Sequence, residues 1–223
     1  MDILYVDTSL LILNKPAGIP VLPDGWEPDA PYLFNQLEEQ YPGLGVVHRL
    51  DKITSGVMVF ARTAQAHRAL NIQFEKHAAQ KVYHALCNGN PRWKEHVAKH
   101  PLRINVGHKH RTMVDTRQGK PAETHFKVLK RYRGPASGLE FALLECTPAT
   151  GRTHQIRVHA YALGLPLVAD TLYSAPPTDL IARPALHALA LTLTHPETGE
   201  RMSFSAPYPD DFAQAITELE HLP

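Results

Sequence analysis

One stretch of the chain, residues 48–60, constrains the fold more than any other, and it reads His-Arg-Leu-Asp-Lys-Ile-Thr-Ser-Gly-Val-Met-Val-Phe. Asp51 follows Arg49 by two residues and precedes a Thr-Ser-Gly turn, after which residues 57–60 are all apolar. A short apolar run bounded by a turn predicts a buried strand. A polar loop that leads into a buried strand is a rigid mount for one acidic side chain. These residues alone leave a second interpretation open, in which Asp51 only caps the turn.

The other patterns predict many short strands and few helices. Strands are predicted for residues 10–13, 81–86, 124–128 and 139–147, and a terminal hairpin for residues 189–194 and 202–206. Helices are predicted for residues 33–40, 64–76 (with Thr63 as N-cap) and 153–163. We therefore expect an α+β fold with a mixed, largely antiparallel sheet flanked by helices and loops. No repeat or clear linker divides residues 1–223, which predicts a single domain.

Length and composition narrow the class of protein. The chain has 223 residues, of which 43% are hydrophobic and 20% charged, as is typical of a globular protein with a core. No apolar run reaches the roughly 18 residues that a transmembrane helix needs, and the first residues lack the pattern of a signal peptide. Cys87 and Cys146 lie in apolar, strand-like contexts, which favours buried free thiols. We therefore expect a cytoplasmic protein without membrane association.

Positive charge is concentrated in one segment, although the net charge of the chain is only +1. Residues 92–133 contain twelve Lys or Arg and three acidic residues, a net charge of +9, so the rest of the chain carries −8. Because a polyanion responds to the local field, this segment predicts an RNA-binding surface with Lys109 and Arg111 near its centre. A solvated surface without a partner is the alternative interpretation.

The fourteen histidines raise the question of a metal site. Two pairs that lie close in sequence are His108 with His110 and His154 with His159. None of them has the His-Glu-x-x-His or paired Cys-x-x-Cys spacing of a zinc site. We therefore expect no metal.

Four motifs in the same order resemble those of the RluA-type pseudouridine synthases. Residues 48–56 match that family's pattern of His-Arg-Leu-Asp, two variable residues and Thr-Ser-Gly. The others are Leu-Asn-Lys-Pro-Ala-Gly at residues 13–18, Lys-Val-Tyr at 81–83 and Gly-Arg-Thr-His-Gln-Ile-Arg-Val-His at 151–159. One departure is Ala169, where the family usually has the Gly of Gly-Asp-x-x-Tyr. Because Ala adopts positive φ less readily than Gly, the local turn is expected to differ.

The resemblance implies the pseudouridine synthase catalytic fold and the isomerisation of specific uridines in structured RNA, either ribosomal RNA, transfer RNA or both. This reaction breaks an N–C glycosidic bond, turns the base and remakes the link through carbon, so we expect no cofactor. Relatives often carry an extra N-terminal, S4-like RNA-binding domain. We do not expect it here, because the catalytic pattern begins within the first fifteen residues. The expected protein is a monomer that binds RNA.

The resemblance also assigns roles to particular residues. Asp51 is the catalytic carboxylate, which would attack or stabilise the sugar carbon or remove a sugar proton. Tyr83 matches the tyrosine that lies against the target base, and Arg157 the arginine that faces the catalytic Asp with two parallel hydrogen bonds. Arg49 would fill the space that a flipped nucleotide leaves. The other expected substrate-binding residues are Lys15, Arg152 (as a phosphate contact), His154, Lys109 and Arg111.

Two further functions compete with the isomerase. A non-catalytic RNA-binding or ribosome-assembly module would keep the fold without the chemistry, but such a module does not need Asp51, Tyr83 and Arg157 together. A glycoside-cleaving hydrolase would need a convincing second catalytic carboxylate, which the motifs do not supply. From periodicity alone, Tyr83 also fits a buried core position and Arg157 a solvent-facing helix position.

Overall fold

A computed structural model describes residues 2–23, 30–107, 111–134 and 138–221. The strands are β1 Asp2–Val6, β2 Leu10–Lys15, β3 Gly45–Val46, β4 Ser55–Ala61, β5 Gln80–Asn88, β6 Glu95–Ala98, β7 Leu102–Val106, β8 Arg111–Val114, β9 Thr124–Arg133, β10 Glu140–Pro148, β11 Leu186–Thr194 and β12 Arg201–Ser205. The helices are α1 Leu33–Glu38, α2 Ala64–Glu75, α3 Gln155–Ala162 and α4 Asp210–Glu220, with a 3₁₀ turn at Thr171–Tyr173. Within the described ranges, no helix has the length and hydropathy needed to cross a membrane.

The chain divides into two compact units. The first unit contains residues 1–81 and 188–207, and the second contains residues 82–187 and 208–223. The expectation that both units belong to one domain stays a prediction. The α+β class with a largely antiparallel sheet is confirmed, since strands outnumber helices and β1–β2, β2–β4, β11–β12, β5–β10 and β9–β10 are antiparallel pairs.

The first unit is built on the strand order β1–β2–β4–β11, with β3 paired to β4 and β12 to β11. All seven residues of β4 are buried, which confirms the strand predicted after the Thr-Ser-Gly turn. Helix α2 packs Ala66 and Leu70 into the core that β2 and β4 share. Its predicted N-cap is confirmed, because the Thr63 hydroxyl oxygen accepts a hydrogen bond from the Ala66 amide at 3.1 Å.

The second unit has the strand order β5–β10–β9–β6, and alternate residues of its strands pack against different helices. Ala85 and Cys87 of β5 share a core with Ile156 of α3. Leu86, between them, packs in a second core with Phe212 of α4. This period of two places a helix on each face of the sheet. Both cysteines are buried free thiols, as predicted.

Helix α3 is shorter than the predicted range of residues 153–163. It begins at Gln155, because His154 has a φ of +54° and therefore lies outside the right-handed helical region. Strands β1, β3, β6, β7 and β8 and helix α4 were not predicted. The strands predicted within β2, β5, β9, β10, β11 and β12 are confirmed.

Ala169 adopts a φ of +62°, the left-handed conformation that glycine tolerates best. The replacement of the usual family glycine therefore does not prevent a left-handed turn at this position. The cost of the turn falls on the backbone, since a residue with a Cβ is about 1–2 kcal/mol less stable there than in the right-handed region.

Ala169→Gly is therefore expected to raise the free energy of unfolding by about 0.5–1 kcal/mol, because relief of this strain exceeds the entropy that glycine adds to the unfolded chain. Urea denaturation measures the change. Ala162→Gly, at the last residue of α3, is the matched control and should instead destabilise the protein. A loss of stability in both variants would show that Ala169 is not strained.

Candidate active site

Asp51 lies half-buried in the loop between β3 and β4, and backbone hydrogen bonds fix this loop. The Thr54 amide donates to the carbonyl oxygen of Asp51 at 3.0 Å, which closes a turn around the carboxylate-bearing residue. The Gly18 amide donates to the carbonyl oxygen of Lys52 at 2.8 Å, which ties the turn to the loop after β2. The carboxylate is therefore mounted on an ordered backbone, as the sequence predicted.

The glycine of the Thr-Ser-Gly turn is required by close packing. Gly56 has a φ of +118°, and a Cβ at this position would lie 2.1 Å from the carbonyl oxygen of Ala188 in β11. Real Cβ atoms do not approach so closely, so only glycine lets these two backbones meet.

His48 anchors the start of the same loop. Its ring stacks on Phe74 of α2, with 4.6 Å between the ring centroids, and its Nε2 accepts a hydrogen bond from the Val59 amide of β4 at 3.1 Å. Burial, and then the nearby Lys81, lower the pKa of His48 to about 3. The imidazole is thus neutral near pH 7, as its role of acceptor demands. His48 had no assigned role, although its place in the motif marked it.

Lys15 is fully buried, and its ammonium group donates to backbone carbonyls of its own unit. The acceptors are the carbonyl oxygens of Pro16 at 2.7 Å, Ile19 at 2.8 Å and Lys52 at 3.4 Å. Lys15 was expected to bind substrate, but these contacts join the loop after β2 to the residue that follows Asp51. They are the contacts of a side chain that supports the Asp51 loop.

Arg49 and Tyr83 have the exposure that their expected roles need. Arg49 is exposed two residues before Asp51. Tyr83 is half-buried on β5, opposite Cys146 of β10, and it packs against the core beneath α3. The neighbouring His84 points to the other face, where its Nδ1 contacts the Tyr208 hydroxyl.

Arg157 forms a buried ion pair with a residue to which no role was assigned. Its Nε donates to one carboxylate oxygen of Asp170 at 2.7 Å, and its Nη2 donates to the other at 2.8 Å. The side chains of Arg157 and Asp170 are only 6% and 1% exposed. The expected partner was Asp51, which belongs to the first unit, whereas Arg157 belongs to the second. A pairing of Arg157 with Asp51 stays a prediction.

Tyr173 covers this ion pair. The Arg157 guanidinium carbon lies 5.1 Å from the centroid of the Tyr173 ring, a cation–π distance. The Tyr173 hydroxyl accepts from the Thr112 amide at 3.1 Å and lies 3.1 Å from the Thr112 carbonyl oxygen and 3.0 Å from His154 Nδ1. His154, expected to bind substrate, therefore also holds Tyr173, and the cluster joins α3 to β8.

Gln155 explains why an amide follows His154 in the last motif. Its Nε2 donates to the Glu123 carbonyl oxygen and to the Thr124 hydroxyl, both at 2.9 Å, and its Oε1 accepts from the Arg152 amide at 3.0 Å. The loop before α3 is thereby fixed. Arg152 is exposed on that loop, which is compatible with its expected contact to a phosphate.

His159 is used in the core and is not directed towards His154. It is fully buried, with Nδ1 2.9 Å from the Thr124 hydroxyl oxygen and Nε2 3.0 Å from the carbonyl oxygen of His100. Burial lowers the pKa of His159, so the ring is neutral at pH 7. Among the residues that the structure describes, no group of three His, Cys, Asp or Glu side chains is placed to hold a metal ion.

Ion pairs engage some basic residues of the segment, and one of their acidic partners lies outside it. Lys109 lies outside the described residues, and Arg111 is the half-buried first residue of β8. Three basic residues of the segment are already matched by acids, in the pairs Lys99–Glu123 at 3.1 Å, Arg103–Asp115 at 3.2 Å and Lys130–Glu220 at 2.7 Å. Glu220 comes from α4, far outside the segment.

Comparisons with known proteins agree with these motifs. Residues 9–162 match the family model for RNA pseudouridylate synthase. The chain is 38% identical to ribosomal large subunit pseudouridine synthase D of Neisseria meningitidis over 98% of its own length, and it spans 61% of that relative. It is 37% identical to dual-specificity RNA pseudouridine synthase RluA of Escherichia coli, with 92% of each chain covered.

Solved structures extend the comparison to the fold. Human RNA pseudouridylate synthase domain containing 4 matches with a TM-score of 0.78 and 25% identity, covering 98% of this chain and 93% of that one. Human RNA pseudouridylate synthase domain containing 1 matches with a TM-score of 0.76 and 27% identity, covering 100% of this chain and 95% of that one. The family model covers more than half of the chain, and the chain therefore belongs to the RNA pseudouridylate synthase family.

Proposed function

We propose that this protein converts specific uridines of structured RNA, in ribosomal RNA, transfer RNA or both, into pseudouridine. In this reaction the C1′–N1 bond breaks, the base turns, and a C1′–C5 bond forms. The C5 proton is released to solvent and N1 takes up a proton, so atoms and electrons balance without a cofactor. The observation that carries the proposal is the fixed conformation of the Asp51 loop. Hydrogen bonds made by His48 and by Lys15 hold this loop on both sides of Asp51.

Asp51 supplies the charge that this chemistry needs. A carboxylate attacks or stabilises C1′, or removes a sugar proton. Rigid placement matters for each of these roles, because a misplacement of about 1 Å costs on the order of 10²-fold in rate. The buried strand β4 and the buried Lys15 provide this rigidity.

Access to the target nucleotide requires that its base leave the stack. C1′ of a stacked nucleotide is shielded, so enzymes that act on bases flip them out. Arg49 supports this step, because its side chain is exposed on the Asp51 loop and can occupy the space that the base leaves.

The Tyr83→Phe variant separates the two roles that Tyr83 can have. If the ring only stacks on the base, RNA affinity and turnover stay near those of the parent, since stacking contributes about 1–3 kcal/mol per base without the hydroxyl. We expect a proton-relay role, in which turnover falls by about 10²-fold while binding persists. Single-turnover rates and RNA-binding titrations measure both quantities, and unchanged turnover would exclude the relay.

The salt dependence of RNA binding tests the basic segment. Each phosphate contact adds roughly 0.7–0.9 to the slope of log K against log salt. Neutralising Lys109 and Arg111 together should flatten that slope by about one to two units and leave turnover at saturating RNA near the parental rate. The matched control neutralises Lys99 and Lys130, which Glu123 and Glu220 already pair. An unchanged slope in the first variant would place the RNA elsewhere.

The proposal includes a cytoplasmic, monomeric protein that acts without a metal. The balance of the reaction, which needs no oxidant, reductant or transferred group, supports action without a metal, and the bacterial relatives named for ribosomal and dual-specificity RNA synthases support a cytoplasmic location. Sedimentation of the purified protein with and without RNA measures its oligomeric state.

A further inference from the structure

We propose that Asp170 is a positioning residue of the active site, which sets the orientation of the Arg157 guanidinium for the reaction. The inference rests on the proposed function and on the role in the reaction that the family resemblance implies for Arg157. Asp170 accepts two hydrogen bonds from Arg157, at 2.7 and 2.8 Å, and its side chain is 1% exposed, so it acts on substrate only through Arg157.

The geometry of the pair fixes the direction of the arginine. A guanidinium is planar and offers its donors in a rigid fork. Asp170 occupies the edge formed by Nε and Nη2, so Nη1 is directed away from Asp170, along the far end of the side chain. We infer that this end makes the contact with the anionic groups of the reaction.

The backbone of Asp170 is itself held in place. The Asp170 amide donates to the Leu167 carbonyl oxygen at 3.1 Å, and the Asp170 carbonyl oxygen accepts from the amides of Tyr173 at 3.0 Å and Ala175 at 3.1 Å. The left-handed residue Ala169 immediately precedes it. Three backbone hydrogen bonds and a constrained turn therefore fix the backbone that carries the carboxylate, independently of the contact with Arg157.

Tyr173 restrains the same guanidinium from a second direction. Its ring lies 5.1 Å from the guanidinium carbon, and its hydroxyl is fixed by Thr112 and His154. The guanidinium is thus held in its plane by Asp170 and lies over the ring of Tyr173. This arrangement is preorganisation of a charged donor, and such preorganisation contributes to catalysis because the charge does not have to be reoriented during the reaction.

Stability alone does not account for an ion pair at this place. Apolar residues of similar volume often replace a buried ion pair with no loss of stability. A role in orienting Arg157 does account for it, and that role makes a kinetic prediction different from that of a structural pair.

A double-mutant cycle tests the inference. The variants are Asp170→Asn, Arg157→Met and the double variant, in which no charge is left buried. Single-turnover release of tritium from C5-labelled RNA is measured with the protein in saturating excess, and in vitro transcripts of ribosomal and transfer RNA are the probe. We expect Asp170→Asn to lower the single-turnover rate by about 10- to 100-fold in the parent protein. In the Arg157→Met protein, the same substitution should lower the rate by less than about 2-fold.

Asp211→Asn is the matched control, because Asp211 also accepts two hydrogen bonds from an arginine, Arg183, at 2.7 and 2.9 Å. It should leave the rate near that of the parent. Equal slowing by Asp170→Asn in both backgrounds, or a parental rate for Asp170→Asn, overturns the inference. A parent protein that releases no tritium from either RNA contradicts the proposed function instead.

Discussion

Asp51→Asn is expected to lower pseudouridine formation by at least about 10³-fold while RNA affinity and stability stay near those of the parent. The substitution keeps the shape of the side chain and removes its anionic charge. The loop also keeps contacts that the substitution does not alter, made by the carbonyl oxygen of Asp51, the His48 ring and the Lys15 ammonium. Nucleoside analysis of the reacted RNA measures turnover, and titration and urea denaturation measure binding and stability.

The control for this variant is Asp179→Asn, which removes one carboxylate from an exposed position of the second unit. It should behave as the parent in all three measurements. Measurable turnover by the Asp51→Asn variant would show that the essential group is not Asp51. A large loss of stability would instead mean that the carboxylate supports the loop.

Arg157→Ala is expected to reduce the free energy of unfolding by roughly 3–5 kcal/mol. The sequence suggested Asp51 as the stranded partner, but the structure supplies a more direct reason. Without Arg157, the carboxylate of Asp170 loses both of its guanidinium donors at a site where it is 1% exposed. Urea denaturation of the parent and the variant measures the change.

A second substitution identifies the cause of that loss. Arg157→Ala with Asp170→Ala removes both charges, so it should recover part of the stability although it enlarges the cavity. Unfolding of Arg157→Ala at the parental urea concentration would show that the ion pair does not stabilise the fold. A double variant less stable than Arg157→Ala would point to packing and not to charge.

Local patterns predicted the elements that carry Asp51 and Tyr83. A buried strand follows the Thr-Ser-Gly turn because its apolar run is continuous, and α2 begins where Thr63 caps it. These features depend on neighbours in sequence, so periodicity and capping rules reach them. The spacing of Phe212, Ala215 and Leu219, the buried residues of α4, is likewise typical of one face of a helix.

Periodicity and capping rules do not predict contacts between residues that are distant in sequence. Asp170 lies thirteen residues after Arg157, and only the fold brings its carboxylate to the guanidinium. Helix α3 begins at Gln155 and not at residue 153, because His154 has a left-handed backbone conformation that residue propensities do not predict. For the same reason, the ion pair between Lys130 and Glu220, which lie 90 residues apart, could not be predicted from the sequence.

The most direct test of the account follows both products of the proposed chemistry in one reaction. The parent protein is incubated with ribosomal or transfer RNA transcripts whose uridines carry tritium at C5, and the RNA is then digested to nucleosides. The account predicts tritium release equal to the pseudouridine formed, with no free uracil, because the C1′–C5 bond replaces the C1′–N1 bond within one nucleotide. Free uracil without pseudouridine, or bound RNA with no release of tritium, would contradict it.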